Sequence, residues 1–352
     1  MTLCGPAIAI RTRGSLDYGW GHLVRAWRLA RHLQARHPEA RVELVVEGDD
    51  GAHGIQRAWD AKWTELPEGV TVDEEEKWLN RVQPEILVVD LLEVPASLCR
   101  LFRGRSELLV VFDDLAYPCT GADIIICPQV LDSYPGQVPG QRWLTGADYF
   151  IVDDSFKRIG TDRLLRSQVE TVLVVMGGCL PPEVEAWTLE LADCLKEQPF
   201  QTQVVLGFDQ AGAMERYRRV AGLRVSFIEG THELGRLMWE ADLAIAASGY
   251  VKLELAAAGT PALLVSVVDH QDGLGQPFAE LTGAARYLGN ITALAPEEVV
   301  AAALALAKDV ETRRTMSEAG RRAVDGRGAE RIEGEIFAAW RDLARPRAGG
   351  QK

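Results

Sequence analysis

Short, unbroken apolar runs recur along almost the whole chain, and they leave few folds open. Five come first: AIAI at 7–10, VELVV at 42–46, EILVVD at 85–90, LLVVF at 108–112 and DIIIC at 123–127. Five more follow a Pro- and Gly-rich stretch: TVLVVM at 171–176, QVVL at 203–206, RVSFI at 224–228, DLAIA at 242–246 and PALLV at 261–265. Continuous Val/Ile/Leu runs of this length suit strands covered on both faces, as in parallel sheets. Helix-period segments lie between them. In LVRAWRLARHLQ, Leu23, Val24, Trp27, Ala30 and Leu33 share one face, while Arg25, Arg28, Arg31 and Arg36 fall mostly elsewhere. Strand and helix in alternation predict an α/β chain with helices on both faces of its sheets.

With 352 residues and 47% hydrophobic content, the chain is long enough for two cores. The turn-rich VLDSYPGQVPGQRW marks a boundary region between 130 and 170. We expect an N-terminal Rossmann-like domain over 1–152, a linker over 153–170, a C-terminal Rossmann-like nucleotide-binding domain over 171–328, and a terminal helix and tail over 329–352. Ligands of such folds bind beyond the carboxyl ends of the strands. With two halves, the expected site is the interdomain cleft that both parallel sheets face.

A formal net charge of -13 argues against nucleic acid or an anionic membrane surface as partner, and leaves room for a local phosphate pocket. No run of 18 or more apolar residues is present and the N-terminus lacks a signal-peptide pattern, so a cytoplasmic protein without membrane insertion is expected. The six cysteines form no C-x-x-C pair and match no zinc spacing. They read as buried reduced thiols, and neither a metal nor a cofactor is expected.

Function is therefore sought directly after the strands. Gly19-Trp20-Gly21-His22 joins the first strand to the first helix. Glycines let the backbone turn sharply and approach a ligand, and the helix start offers unpaired N–H groups. A histidine there can exchange protons near neutral pH, as a general base must. Spacing alone leaves the alternative that the glycines form a plain turn and His22 caps the helix. Asp17 could orient the imidazole or could be a loop acid. In the second half, Ser248 and Gly249 turn the chain from strand to helix, and the amides of Gly249, Tyr250 and Val251 are placed to meet a diphosphate. Glu254, about one turn on, could accept from a ribose diol or could be a solvated helix acid. Gly177 and Gly178 form another strand-end turn, and His270 and Gln271 follow the strand PALLV. Asp113-Asp114 also ends an apolar run.

Taken in order, GWGHLVRAWRLA, LLVVFDDLA, VVMGGC, EADLAIAASGYVKLELAAAGTPALL and HQ resemble the motif series of the UDP-sugar hydrolase of pseudaminic acid biosynthesis and its relatives in spore coat polysaccharide synthesis. All of these resemble the GT-B glycosyltransferases, among them the N-acetylglucosaminyltransferase that makes lipid II. The resemblance covers about residues 8–290. It implies a GT-B-like fold and the release of UDP from an activated amino-deoxy sugar, as water attacks the anomeric carbon with inversion. His22 matches the histidine that activates the water. Gly249, Tyr250 and Val251 match the diphosphate loop, Glu254 the ribose-binding glutamate, and Gln271 the second residue of an Asn-Gln pair. Phe227 and Ile228 match the stretch whose backbone meets uracil in the transferase. The five-residue step from Gly249 to Glu254 agrees with the hydrolase, where the lipid II transferase has one residue more.

This chain departs from the hydrolase pattern at several positions. Arg13 stands where an aspartate belongs, and Cys179-Leu180-Pro181-Pro182 replaces an acidic-Pro-x-Asn stretch. Tyr250 and Val251 replace small hydroxyl residues, and His270 replaces the asparagine before Gln271. The reading is a hydrolase of a UDP-linked amino-deoxy sugar in surface-glycan or nonulosonic acid biosynthesis. The alternatives are a GT-B glycosyltransferase with a glycan, lipid or protein acceptor, and a non-catalytic sugar-nucleotide-binding protein.

Overall fold

The computed structural model describes residues 5–344 apart from 16–18, 50–51, 53–55, 57–59, 116–120, 135, 138–139, 154–155, 157–162, 164, 179, 208–213, 230 and 232. The described residues form two compact units, one drawn from Met1–Pro128, Ser133–Ile151 and Arg327–Lys352, the other from Gln129–Asp132 and Val152–Gly326.

The first unit begins β1 (Ala7–Gly14), α1 (Gly21–Arg36), β2 (Arg41–Gly48), β3 (Thr64–Leu66) and α2 (Val72–Val82). It continues β4 (Ile86–Asp90), α3 (Ala96–Arg103), β5 (Leu108–Phe112), β6 (Ile124–Cys127) and β7 (Arg142–Thr145). All strand pairs are parallel, in the order β3-β2-β1-β4-β5-β6-β7. Alternate residues of β1 enter different cores. Ile8 and Ile10 pack with Leu23, Ala26, Leu29 and Leu33 of α1. Ala9 joins Trp78, Leu79 and Val82 of α2 and Phe102 of α3 on the other face. That double coverage is why the run is apolar throughout. Arg11 is the exception. Its guanidinium, 1% exposed, donates to Glu47 Oε2 (2.7 Å) and to Glu75 Oε1 (2.9 Å from Nε), and Glu75 also accepts from the Trp78 indole (2.6 Å). Two carboxylates offset the desolvation of one buried cation.

The second unit holds β8 (Thr171–Val175), α4 (Pro182–Leu195), β9 (Gln201–Val205), α5 (Met214–Val220), β10 (Val225–Ile228) and α6 (Leu234–Glu240). Then come β11 (Leu243–Ala247), α7 (Val251–Ala258), β12 (Ala262–Ser266), α8 (Asp272–Thr282), β13 (Ala285–Asn290), α9 (Pro296–Lys308) and α10 (Val310–Ala323). Its sheet is again parallel, ordered β10-β9-β8-β11-β12-β13. Beyond β8 and β9 two backbones nearly touch: a Cβ on Gly207 would lie 1.9 Å from the Gly178 carbonyl oxygen, so only glycine fits.

All ten apolar runs lie in strands, and the expected α/β class with two parallel sheets holds. The strands that were not anticipated, β3, β7 and β13, are all sheet edges. Each is short or carries polar residues, because one flank lacks a strand neighbour and full apolar cover is not required. β7 lies inside the stretch read as a turn-rich boundary. Cys99, expected as a thiol, is disulfide-bonded, whereas Cys127 and Cys194 are free. No described helix is long and apolar enough to cross a membrane.

The last helix, α11 (Gly328–Ala344), belongs to the first unit, where Ile332, Ile336 and Phe337 join the core under α1. His32 and His37 clamp it: their Nε2 atoms lie 2.7 and 2.8 Å from the two carboxylate oxygens of Glu333. His37 also stacks on Phe337, ring centroids 3.9 Å apart. Burial pushes the Glu333 carboxyl up, but the hydrogen bonds from His37 and His32 outweigh it, and its pKa lies below the ordinary value of 4.5. A carboxylate with a depressed folded-state pKa contributes stability above its unfolded value, and loses it as pH falls through the folded one. The thermal midpoint of the unsubstituted protein should therefore exceed that of Glu333→Gln at pH 6. The gap should close as pH drops below about 4.5, and a gap independent of pH would contradict the clamp.

Candidate functional site

In each sheet the strand order reverses at one point, between β1 and β4 and between β8 and β11. Crevices for ligands open at such points beyond the carboxyl ends of the strands. His22 follows β1 at the first, and Gly177, Gly178 and Gly249 follow β8 and β11 at the second, whereas Phe227 and Ile228 lie on the edge strand β10.

In the first unit, Gly19 takes φ 83° and its amide donates to Ser15 O at 2.8 Å, closing the turn that leads into α1. α1 opens at Gly21 with no acidic residue in its first turn. His22, its second residue, is 8% exposed, and its Nδ1 lies 2.7 Å from Oδ1 of Asp90, the last residue of β4. One helical turn on, Arg25 reaches the same carboxylate: Nε donates to Asp90 Oδ2 at 2.7 Å and Nη2 to Asp90 Oδ1. Its other edge donates to Asp114, Nη1 to Oδ1 at 2.9 Å and Nη2 to Oδ2 at 3.0 Å. The guanidinium also stacks on Phe112, 4.3 Å from the ring centroid. A carboxylate gripped by a guanidinium accepts only, so Nδ1 of His22 carries the ring proton and Nε2 is the basic nitrogen.

In the second unit, Ser248 follows β11 fully buried. Both its amide and its hydroxyl donate to Val265 O, at 2.9 Å each, so its side chain anchors the loop. Gly249 follows, then Tyr250 stands at the N-cap of α7. Val251 and Glu254, on the first turn of α7, are half-buried. Gln271 accepts from the Val267 amide at 3.1 Å, and its Nε2 would lie 3.5 Å from a Cβ on Gly249, so the loops after β11 and β12 meet. Gly177, with φ 124°, and Gly178 leave β8. Phe227 and Ile228 end the edge strand β10. Phe227 packs on Tyr217 with centroids 4.9 Å apart, and the Ile228 carbonyl accepts from Leu206 at 2.8 Å. Acidic residues mark which helix ends disfavour an anion. α4 has Glu183 and Glu185 in its first turn. α8 begins at Asp272, whose pKa is lowered by hydrogen bonds from Ser266, Tyr287 and Asn290 against the opposing effect of burial. α7 carries a single acid in its first turn, Glu254, as its fourth residue.

Asp17 and Cys179 lie outside the described residues. Two of the residues around His22 escaped the sequence reading: Asp90, counted only as the end of a strand, and Arg25, placed off the buried face of α1 but 3% exposed. An arginine three residues after the histidine, with a strand ending in Asp, was the available signal. A groove of about 720 Å³ lies elsewhere, lined by Gln276, Arg286, Tyr287, Glu311 and Met316, among others, beside the sheet edge at β13.

No protein-family model matches the chain. Its two parallel-sheet Rossmann-like domains have the GT-B fold of solved UDP-sugar enzymes. It is 14% identical to MnaA of S. aureus, solved as a UDP co-structure, with a TM-score of 0.65 over 98% of this chain and 99% of that one. It is 10% identical to the UDP-GlcNAc 2-epimerase of Neisseria meningitidis, solved bound to UDP-GlcNAc, with a TM-score of 0.62 over 94% and 100%. In sequence it resembles the spore coat polysaccharide biosynthesis protein SpsG of Bacillus subtilis (strain 168), 26% identical over 339 residues, spanning 92% of this chain and 96% of that protein.

Arg25→Leu would leave the carboxylates of Asp90 and Asp114 buried without their shared cation. We expect a loss of about 3–5 kcal/mol in unfolding free energy, read from chemical denaturation. A loss below about 1 kcal/mol would show that the guanidinium is not what holds the strand ends.

Proposed function

We propose that the protein is an enzyme that hydrolyses a nucleotide-linked sugar at its anomeric carbon in polysaccharide biosynthesis. The nucleotide is UDP and the sugar an amino-deoxy sugar. The observation that carries this reading is the His22–Asp90 pair locked by Arg25 at the reversal point of the first sheet. A carboxylate that fixes the tautomer and direction of an imidazole makes Nε2 a general base. In the reaction, Nε2 takes a proton from water as the water oxygen bonds to the anomeric carbon. The bond from that carbon to the diphosphate oxygen breaks, and UDP leaves with the electron pair. The configuration inverts. The second unit holds the leaving group: the amides of Gly249, Tyr250 and Val251 receive the diphosphate, Glu254 accepts from the ribose diol, and the backbone of Phe227 and Ile228 meets the base. Gly19, Gly21, Gly177, Gly178 and Gln271 let backbone and amide groups approach the ligand. Oriented amides stabilise a departing anion without a metal.

One feature supports hydrolysis over transfer, the five-residue step from Gly249 to Glu254; similarity to SpsG along nearly the full length of both chains supports a place in polysaccharide biosynthesis. The test is to incubate the chain with UDP-linked amino-deoxy sugars and no acceptor, and to measure released UDP. Release at steady turnover is expected, with kcat lowered on the order of 10²–10⁴-fold in His22→Ala while the thermal midpoint stays near that of the unsubstituted protein. Release only when an acceptor is added would replace hydrolysis by transfer. UDP binding without turnover of any donor would leave a binding protein. Glu254→Ala should raise KM by roughly 10-fold, with a smaller change in kcat, if the carboxylate holds the ribose.

A further inference from the structure

Lys252, the second residue of α7, is 1% exposed and takes no part in the reaction as described above. Its Nζ lies 2.8 Å from Gln129 Oε1, 2.8 Å from the Ser248 carbonyl oxygen and 3.1 Å from the Gly249 carbonyl oxygen. A lysine nitrogen that serves three acceptors at these distances carries three protons, so it is an ammonium. All three of these acceptors are uncharged oxygens, and Nζ also stands 5.8 Å from the centroid of the Phe278 ring. Gln129 belongs to the same unit, in the short segment Gln129–Asp132.

The two carbonyl contacts determine something else. A peptide group is planar, and when it is trans its C=O and N–H point to opposite sides. No cis peptide occurs among the described residues. The carbonyls of Ser248 and Gly249 point at Nζ, so the N–H groups of the same two peptides, those of Gly249 and Tyr250, point away from it. The Gly249 amide donates to no other described residue. A purely structural filler at this position would be cheaper as methionine, because an ammonium must be desolvated to sit there.

We propose that Lys252 is a positioning residue of the diphosphate site. By drawing two carbonyls inward, it presets the amides of Gly249 and Tyr250 as a donor pair, and it places a fixed positive charge beneath them. The ligand class is a nucleoside diphosphate or the pyrophosphate group alone, and the inference rests on the nucleotide-sugar reading above.

The test is calorimetric titration of the full chain with UDP, uridine and inorganic pyrophosphate. In Lys252→Met, UDP and pyrophosphate should bind roughly 10-fold or more weakly, with uridine unchanged and no loss of thermal midpoint. Gln129→Glu keeps an acceptor for Nζ but opposes its charge, and it should weaken UDP and pyrophosphate while sparing uridine. Should Lys252→Met not fold, the unsubstituted protein still decides: its Gly249 and Tyr250 amide protons should shift on addition of pyrophosphate. An unchanged UDP-to-uridine affinity ratio in both variants, or amides that ignore pyrophosphate, would overturn the positioning role and leave the nucleotide-sugar reading standing. Failure of the unsubstituted protein to bind UDP and pyrophosphate alike would overturn both.

Discussion

One buried guanidinium organises the carboxyl end of the first sheet. β4 and β5 each deliver an aspartate, Asp90 at the end of one and Asp114 just past the other, and two carboxylates that close would repel each other if left alone. Arg25 lies between them with donors to both. It is rigid because Phe112 covers one face and α1 fixes its stem. Asp90 is in turn the group that holds His22. The imidazole thus inherits its direction from an arginine one helical turn away on its own helix. The cost is a desolvated cation and two desolvated anions, and bidentate, charge-assisted hydrogen bonds offset it. Nothing in the core demands this arrangement. The polar network fixes the direction of the ring.

In the proposed reading the second unit solves a different problem with the same tools. An anion needs donors that point outward, and the backbone supplies them only if its carbonyls point inward. At the end of β11 the inward carbonyls accept from the Lys252 ammonium. Ser248 is itself fixed to β12, its amide and its hydroxyl both donating to the Val265 carbonyl oxygen. Neighbouring helix starts carry early acids, at Glu183 and Asp272, and are electrostatically less suited to the task.

Much of this was legible in the residues. Unbroken apolar runs announced strands buried on both faces, and glycines at strand ends announced turns into helices. His22, Gly249 and Gln271 were singled out for that reason, and Gly249 and Gln271 do lie side by side. What escaped notice was polar and buried. Arg25 sits at the margin of the apolar face of α1, where a helical projection assigns it to solvent, and only the tertiary pairing with Asp90 and Asp114 draws it in. Asp90 looked like the polar stop of a strand. Lys252 carried no signal in the sequence, because helical period cannot reveal a carbonyl-lined hole. β3, β7 and β13 were missed because edge strands need no continuous apolar cover. For Arg25 and Asp90 a contact distant in sequence overrode the local pattern.

The central claim is that Asp90 fixes His22 with its proton on Nδ1 and its base at Nε2. Nitrogen-resolved NMR of the imidazole, in the full chain at a pH where the ring is neutral, tests it without any substrate. The account predicts a protonated Nδ1 with a strongly downfield proton, lost in Asp90→Ala, and an unprotonated Nε2. A ring that is protonated at Nε2, or that exchanges freely between tautomers, would contradict it.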